Sequence, residues 1–274
     1  VDEPASCGLV RVCAPGKALR RIPSMPLTHP LFMRLVSFGV VLGAWEYVGS
    51  IGLSAAFPSF SETTLALWGM ATDGSLLKAF AKTLEPLLVG LFISVALGVG
   101  LGVWMGLKES AEWLFAPIFI VAQAAPLAAL IPVLTFAYGI GLTAKVLTVC
   151  IMAMPVIVIN ALGAVRNTPV SLIEMGESFL GTRRQVIWNI ILPSASPLIF
   201  VGLRLGCASG FIGVILAELL ITPTGIGDLI SYNQSVAEYP GMYAAILSII
   251  VASVLFIEGI ELVEKTMFRP EQRT

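Results

Sequence analysis

The sequence has 274 residues, of which 57% are hydrophobic and only 12% are charged. Soluble domains carry about 25% charged residues, so this deficit, together with a mean hydropathy of +0.93, excludes an ordinary soluble domain. It predicts an all-α protein that crosses a membrane several times. The net charge of −1 gives no support to nucleic-acid binding.

Residues 1–30 are predicted to form a poorly ordered cytoplasmic tail. They are rich in Pro, Gly and Arg and lack the apolar core of a signal peptide. The tail contains Cys7, Cys13 and His29, the single histidine of the sequence. One histidine and four cysteines leave too few ligands for a Cys/His metal site, so no metal is predicted and the tail cysteines are interpreted as inert thiols.

Six apolar segments follow, each long enough for a span, which takes about 20 residues. We place them at about residues 31–53, 83–107, 113–138, 144–165, 198–221 and 242–263. Together they make one transmembrane domain, residues 31–264, followed by a cytoplasmic tail, residues 265–274. A short amphipathic helix is predicted after the first span, before Asp73. The third span contains Pro117, Pro126 and Pro132, so it is expected to be kinked or broken.

The distribution of lysine and arginine predicts the orientation of the chain in the membrane, because cytoplasmic loops of membrane proteins are enriched in these residues. With the N-terminus inside, only Lys78, Lys82 and Lys145 fall on the outer side. Twelve fall on the inner side: Arg11, Lys17, Arg20, Arg21, Arg34, Lys108, Arg166, Arg183, Arg184, Lys265, Arg269 and Arg273. This bias predicts that both termini, and the segment between the fourth and fifth spans, face the cytoplasm.

That segment, residues 171–197, is an island of charge and turn-forming residues in an apolar chain. Ser171 precedes Glu174 by three residues, and Thr182 precedes Gln185 by three. This is the spacing of a capping box at the start of a helix.

The same island therefore predicts two short amphipathic helices joined at Gly181, the second ended by Pro193. Such a helix pair between two spans can lie on the membrane or serve as a docking surface.

Motifs for catalysis are missing from the sequence. Neither the phosphate-binding pattern G-x-x-x-x-G-K-[ST] nor the nucleophile pattern G-x-S-x-G occurs. The chain is therefore expected not to hydrolyse ATP, not to be an enzyme and to bind no cofactor itself.

Glu46, Glu218 and Glu258 each fall within a predicted span, where a central charge costs about 2.5–3.5 kcal/mol and needs a partner or a polar path. Glu46 and Glu258 are interpreted as lying near the water interface. Glu218 is as readily interpreted as part of a pathway or gate as of the structure. Arg204 cannot pair with it, because fourteen residues of one helix separate them by about 21 Å.

Polar and proline residues in the third and fourth spans mark a possible translocation path. Gln123 and Asn160 are the neutral polar residues, and each can bond a neighbouring helix or contact a solute. Pro126 and Pro132 free backbone groups, and broken helices at membrane depth are tolerated where they line a cavity. Together with Glu218, these residues are the candidate pathway residues.

The island also resembles the cytoplasmic EAA loop of the permeases of binding-protein-dependent ABC transporters. That pattern is Glu-Ala-Ala, three residues, Gly, nine residues and then Ile-x-Leu-Pro. Glu174, Ile190, Leu192 and Pro193 match it in register.

The departures from that pattern lie in its first half. Met175 and Gly176 replace the two alanines, and Leu180 occupies the glycine position, with Gly181 one residue later. The turn between the two helices can therefore be shifted by one residue.

Other segments resemble the nitrate, taurine, sulfonate and bicarbonate branch of these permeases. They are Thr83-Leu84 with Gly90, PLAALIPVL from Pro126, FAYGIG from Phe136, Gly202 to Leu205, and AELLITPTGIGDLI from Ala217. The resemblance covers about residues 57–264.

The resemblance implies a MetI-like importer permease in the bacterial inner membrane, with coupling helices at residues 171–191. It implies two cytoplasmic ATPases, which bind ATP and Mg²⁺, a second permease copy in a homodimer or heterodimer, and a periplasmic or lipid-anchored solute-binding protein. The solute would be small, an anion such as nitrate, taurine or another sulfonate, or bicarbonate. The coupling residues it implies are Glu174, Met175, Gly176, Leu180, Gly181, Thr182, Arg183, Arg184, Ile190, Leu192 and Pro193.

Two other classes remain as alternatives. A stand-alone channel or ion-coupled secondary transporter would work without an ATPase and would use carboxylates such as Glu218 and Glu258. An integral-membrane enzyme would need a nucleophile or metal ligands, which the sequence does not supply.

Overall fold

The computed structural model describes residues 30–52, 54, 56–221 and 224–268. The predictions for Cys7, Cys13, His29, the rest of residues 1–29 and residues 269–274 lie outside the described residues. All regular structure in these ranges is helical, which confirms the all-α prediction. In chain order the helices are α1 (Pro30–Ile51), α2 (Phe60–Thr72), α3 (Ser75–Leu107), α4 (Glu109–Ala124), a 3₁₀ turn (Leu127–Leu130), α5 (Ile131–Tyr138), α6 (Leu142–Arg166), α7 (Val170–Ser178), α8 (Arg183–Val186), a π-helical turn (Ile187–Ile191), α9 (Leu192–Leu220), α10 (Ile226–Ser235) and α11 (Tyr239–Phe268).

Helix α6 forms the centre of the molecule, with α3 packed along one side and α9 along the other. The backbones approach closely because glycines face α6 from both neighbours. A methyl group at Gly102 of α3 would lie 2.6 Å from the Ala161 Cβ, and one at Gly206 of α9 would overlap Ile157. Small residues at helix contacts are the usual means of tight packing in membranes. The three helices therefore form one closely packed unit.

Four helices are long and apolar enough to cross a membrane: α3, α6, the continuous helix Arg183–Leu220, and α11. A fifth span forms if α4 and the Leu127–Tyr138 helix count as one bent span. The apolar stretch of α1, Leu35–Ile51, is shorter than these. The predicted six spans are thus supported only in part, whereas the predicted short helix after the first span is present as α2.

Two helices extend beyond the predicted spans, and one predicted helix end was wrong. Helix α3 begins at Ser75, eight residues before the predicted start, because no helix breaker separates Ser75 from Lys82. At about 50 Å it exceeds the hydrocarbon core of roughly 30 Å. The last helix likewise begins earlier, at Tyr239 rather than Met242. Pro193 does not end a helix; α9 continues through it from the preceding π turn.

Helix α1 meets the rest of the molecule near its C-terminal end. The Trp45 ring packs edge-on against Phe60, with 5.4 Å between centroids, and its Nε1 donates a hydrogen bond to the Pro58 carbonyl oxygen at 3.1 Å. The Glu46 carboxylate accepts hydrogen bonds from the backbone N–H and the hydroxyl of Ser61, both at 2.9 Å. Glu46 is therefore hydrogen-bonded to the start of α2 instead of standing alone in a span.

Candidate functional site

The coupling segment, residues 170–191, connects α6 to α9. Its first helix, α7, does not begin with the predicted capping box. Pro169 precedes the first helical residue, Val170, and no side chain caps the helix, so Ser171 already lies in its first turn. Pro169 is the N-cap residue, with φ −56° and ψ 126°, and because a proline is excluded from a helix interior the helix begins directly after it. Glu174 is exposed on α7 and has no capping role.

The second helix, α8, begins with the predicted capping box. The Thr182 hydroxyl accepts a hydrogen bond from the Gln185 N–H at 3.5 Å, and the Gln185 Oε1 accepts one from the Thr182 N–H at 2.8 Å. The prediction from the spacing of these residues is confirmed.

The turn between α7 and α8 keeps the register of the EAA pattern. Leu180, at the position where the pattern has glycine, has a φ of 57°, in the left-handed region. The Gly181 N–H donates to the Gly176 carbonyl oxygen at 3.1 Å and closes the turn. The possible one-residue shift does not occur, because Leu180 itself adopts the conformation that glycine would supply.

One face of the coupling segment packs on the transmembrane unit, and the other is exposed. Gly176 lies against Ile190, where a methyl group would be 2.5 Å from the Ile190 Cδ1. Val186 and Ile191 join Val165 of α6 in a buried apolar cluster. The outward residues are Glu174, Met175, Phe179, Leu180, Thr182, Arg183 and Arg184, with Phe179 and Leu180 82% and 91% exposed. Exposed apolar side chains flanked by charges are typical of a surface that binds a protein partner.

A π-helical turn joins α8 to α9 without a break. It contains Ile190 and ends just before Leu192 and Pro193, the residues that match the end of the EAA pattern. A proline ring normally clashes with the carbonyl four residues before it. The wider turn removes this clash, which explains why the predicted end at Pro193 is absent.

We expect Leu180→Gly to stabilise the coupling segment by about 0.5–1 kcal/mol. The left-handed conformation costs an L-residue about 1–2 kcal/mol, and glycine loses about 0.5–1 kcal/mol of this gain through its greater freedom in the unfolded chain. The Leu180 side chain is 91% exposed, so no packing is lost. Hydrogen exchange of the amides in residues 176–186, followed by mass spectrometry, would measure the change as slower exchange.

Phe179→Gly is the matched control, because Phe179 is also exposed but has a φ of −81°. This variant should exchange faster than the wild type. The strain assigned to Leu180 is wrong if both glycine variants change exchange in the same direction.

The predicted break in the third span lies at the candidate pathway. Helix α4 ends at Ala124, and the following helix, Leu127–Tyr138, is bent by 90° from it. This confirms the expected break, with Pro126 at the bend. Gln123 lies in the last turn of α4 and lines a recess of about 150 Å³ with Pro155 of α6 and Ser209 of α9.

Pro132 and Asn160 are the other candidate pathway residues of the third and fourth predicted spans. Pro132 is exposed in the first turn of α5, where a proline is tolerated. The Asn160 amide donates to the Val156 carbonyl oxygen at 2.7 Å, and its Cβ packs against Gly202 of α9. Asn160 therefore contributes to the contact between α6 and α9, while Val156, one turn earlier, lines the recess.

Glu218 is the most buried charged residue of the described chain, with 1% of its surface exposed. Its carboxylate pairs with the Lys145 ammonium of α6, with Nζ to Oε1 at 3.3 Å. It also accepts a hydrogen bond from the Thr83 hydroxyl of α3, which lies 3.0 Å from both oxygens. These three side chains connect α3, α6 and α9 at the end of the molecule opposite to the coupling segment.

The same cluster fixes the backbone that leads into α10. The Gly227 N–H donates to Glu218 Oε2 at 3.0 Å, and the Ile226 N–H donates to the Thr83 hydroxyl at 2.9 Å. Lys145 Nζ donates to the Thr224 hydroxyl at 2.5 Å. We call these residues, Thr83, Lys145, Glu218 and the 224–227 turn, the buried ion-pair cluster.

Two features of this cluster were missed from the sequence. Lys145 was counted with the lysines on the outer side and was not considered a partner of Glu218; only 5% of its surface is exposed, because it pairs with Glu218 inside the protein. Thr83 was not considered a partner. Charges of opposite sign at the same end of two neighbouring spans were the available signal, since intramembrane charges pair. Arg204 does not pair with Glu218, as expected; it binds Glu261 and Glu264 of α11 at 3.0 and 3.1 Å.

Comparison with known proteins agrees with this architecture. The family model for the inner membrane component of binding-protein-dependent transport systems matches residues 94–269. The taurine transport system permease protein TauC of Escherichia coli (strain K12) is 27% identical over 237 residues, 84% of this chain and 85% of that protein. The riboflavin transport system permease protein RibX of Chloroflexus aurantiacus is 29% identical over 269 residues, 96% of this chain and 97% of that protein.

Among solved structures, an inward-facing conformation of the MetNI methionine ABC transporter shares the fold. The TM-score is 0.56 at 19% sequence identity, covering 72% of this chain and 96% of the compared chain. The helical architecture, the EAA register and the family match over more than half of the residues agree with one another. The chain belongs to the family of inner membrane components of binding-protein-dependent transport systems, the ABC transporter permeases.

Proposed function

We propose that this chain is the membrane-spanning subunit of an ATP-driven importer, and that it couples to a separate ATPase through the coupling segment. The main observation that supports this proposal is the exposed face of residues 170–191. This segment follows α6 in the chain and continues into α9. An ATPase bound to this face would move both helices as a rigid body. On this surface, Arg183 and Arg184 supply positive charge for binding the ATPase, and Phe179 supplies apolar area.

The proposed complex contains two ATPases, which bind ATP and Mg²⁺, and a second permease copy, identical or homologous. A periplasmic or lipid-anchored binding protein delivers the solute on the opposite side. The chain itself binds no cofactor and catalyses no reaction. Both termini and the coupling segment are proposed to face the cytoplasm of a bacterial cell, because the inner side then holds the excess of Lys and Arg.

The translocation path is proposed to run past the bend between α4 and α5. Gln123, Pro126, Pro132 and Asn160 are its proposed residues. Glu218, the fifth candidate, is buried in the ion-pair cluster at the outer end, so we assign it a structural role beside the path instead of contact with the solute. The recess at Gln123 has no charged residue among its described lining. The Gln123 amide can donate hydrogen bonds to an oxyanion, whereas the Ser209 hydroxyl donates to the Leu205 carbonyl oxygen at 3.1 Å. Such an amide suits a small anion such as nitrate, taurine or another sulfonate, or bicarbonate.

The test of the proposed function is Glu174→Lys in the complex assembled with the ATPase and binding protein encoded by neighbouring genes. Glu174 is exposed, so the permease should fold normally. We expect a fall of about tenfold or more in the amount of ATPase that co-purifies, or in the rate of ATP hydrolysis stimulated by the binding protein. The reason is that the variant reverses a charge at the centre of the surface proposed to bind the ATPase. Co-purification and phosphate release measure both quantities.

Glu109→Lys is the matched control, because Glu109 is an exposed glutamate outside the coupling segment, at the same end of the molecule. It should leave both quantities within about twofold of the wild type. Unchanged ATPase binding and stimulation in Glu174→Lys would contradict the assignment of the dock. Transport by the chain with no ATPase bound would favour a channel or secondary transporter instead.

A further inference from the structure

The buried ion-pair cluster and the coupling segment lie at opposite ends of the same two helices. Lys145 is in the first turn of α6, and the coupling segment follows the last. Glu218 is in the last turn of α9, and the coupling segment precedes the first. Since α6 has 25 residues, the two sites are separated by roughly 35 Å.

Close packing connects the two ends. Along α9, Gly202 lies against Asn160, Gly206 against Ile157, and Gly213 against Met152. These contacts leave no space for one helix to move independently of the other, and closely packed interiors transmit displacement. A movement of the coupling segment is therefore carried along α6 and α9 to the cluster.

At the cluster, hydrogen bonds connect this unit to α10. Glu218 accepts from the Gly227 N–H, Thr83 accepts from the Ile226 N–H, and Lys145 donates to Thr224. Gly227 and Ile226 belong to the buried first turn of α10, whose last turns expose Tyr232 on the face opposite to the coupling segment. The first turn of α10 is thus held to the three helices by these polar groups, in addition to the packing of Ile226 and Ile230 in the apolar core.

We infer that Thr83, Lys145 and Glu218 are positioning residues that hold α10 in register with α3, α6 and α9, so that contact of the binding protein with the α10 face stimulates the ATPase at the coupling segment. This inference rests on the proposed function. The inference assigns different roles to two parts of the cluster. The ion pair stabilises the fold, and the hydrogen bonds to the 224–227 turn couple the α10 face to the coupling segment.

Two double variants separate these roles in the complex of permease, ATPase and binding protein. Both replace the ion pair by neutral side chains of similar length, so neither leaves a buried unpaired charge. In Lys145→Met with Glu218→Gln, the amide oxygen still accepts from Gly227 and can still bond Thr83. In Lys145→Met with Glu218→Met, the Gly227 N–H and the Thr83 hydroxyl lose the carboxylate as acceptor, while the Ile226 N–H can still donate to Thr83.

We expect the Met/Met variant to keep basal ATP hydrolysis within about twofold and to lose stimulation by the binding protein about tenfold or more, within the usual range of coupling between sites. The Met/Gln variant should keep more than half of the stimulation. Stimulation is measured as phosphate release in nanodiscs, with the binding protein alone and with taurine, ethanesulfonate or nitrate in excess. Arg204→Met with Glu264→Gln, which removes an ion pair between α9 and α11, is the control and should be stimulated like the wild type.

Equal stimulation of the Met/Met, Met/Gln and wild-type complexes would overturn the inference, as would equal losses in both double variants. If the Met/Met variant does not assemble, Thr83→Val gives the second measurement, because it keeps the ion pair and removes the acceptor for Ile226. Wild-type stimulation in Thr83→Val would also overturn the inference. A wild-type complex that contains no ATPase would instead refute the proposed function, and this inference with it.

Discussion

Lys145→Met is expected to destabilise the fold by about 3–5 kcal/mol, which is the cost of removing one partner from a buried ion pair. Glu218 is 1% exposed and would lose the cation it pairs with, so the buried carboxylate would either stay charged beside neutral donors only or take up a proton, and both cost stability. Lysine and methionine have similar length, so lost packing contributes little. SDS-induced unfolding of the purified permease in mixed micelles, followed by circular dichroism, would measure the loss as a lower midpoint.

Lys82→Met is the control, because Lys82 is an exposed lysine on α3, one residue before Thr83. Its unfolding midpoint should stay close to that of the wild type. Adding Glu218→Gln to Lys145→Met should recover most of the lost stability, because the unpaired charge is removed. A single variant as stable as the wild type would show that the pair contributes nothing to the fold.

Gly225→Ala is expected to destabilise the protein by about 3 kcal/mol or more. Gly225 has a φ of 80° and a ψ of −152°, a region that is essentially restricted to glycine and costs other residues about 1–3 kcal/mol. A methyl group there would also overlap Glu218 Oε1 and Thr83 Oγ1. Displacing these atoms breaks the hydrogen bonds of the buried ion-pair cluster, which adds about 1–3 kcal/mol. The same SDS titration measures the change.

Gly163→Ala serves as the comparison, because no described atom would lie within 4 Å of a methyl group at Gly163 in α6. This variant should be neutral or more stable by about 0.5–1 kcal/mol, since alanine favours the helix. Equal midpoints for the two alanine variants would contradict the role assigned to the 224–227 turn.

Local features of the coupling segment could be predicted from the sequence because their interactions join residues close in the chain. Thr182 and Gln185 are three residues apart, and their reciprocal hydrogen bonds follow from that spacing. The same spacing failed at Ser171, because the helix already begins at Val170 and Ser171 is therefore inside it and not at the capping position. The break in the third span also has a local cause in Pro126, although its 90° angle depends on packing and could not be predicted.

The buried ion-pair cluster could not be predicted, because its contacts are distant in sequence. Lys145 lies 73 residues from Glu218 and 79 from Thr224. Charge counting gave the side on which Lys145 lies but not its partner, since only the register of α6 against α9 brings its ammonium to the carboxylate. The early start of α3, at Ser75, has a related cause, since hydropathy marks the apolar part of a helix and not its polar ends.

The π-helical turn at Ile187–Ile191 accommodates one more residue than an α-helical turn would. Each residue rotates a helix by about 100°, so this extra residue decides which side of α8 faces outward relative to α9. Loss of one residue from the turn, other than Ile190, would keep all residues that match the EAA pattern. It would nevertheless rotate Arg183 and Arg184 away from their present face.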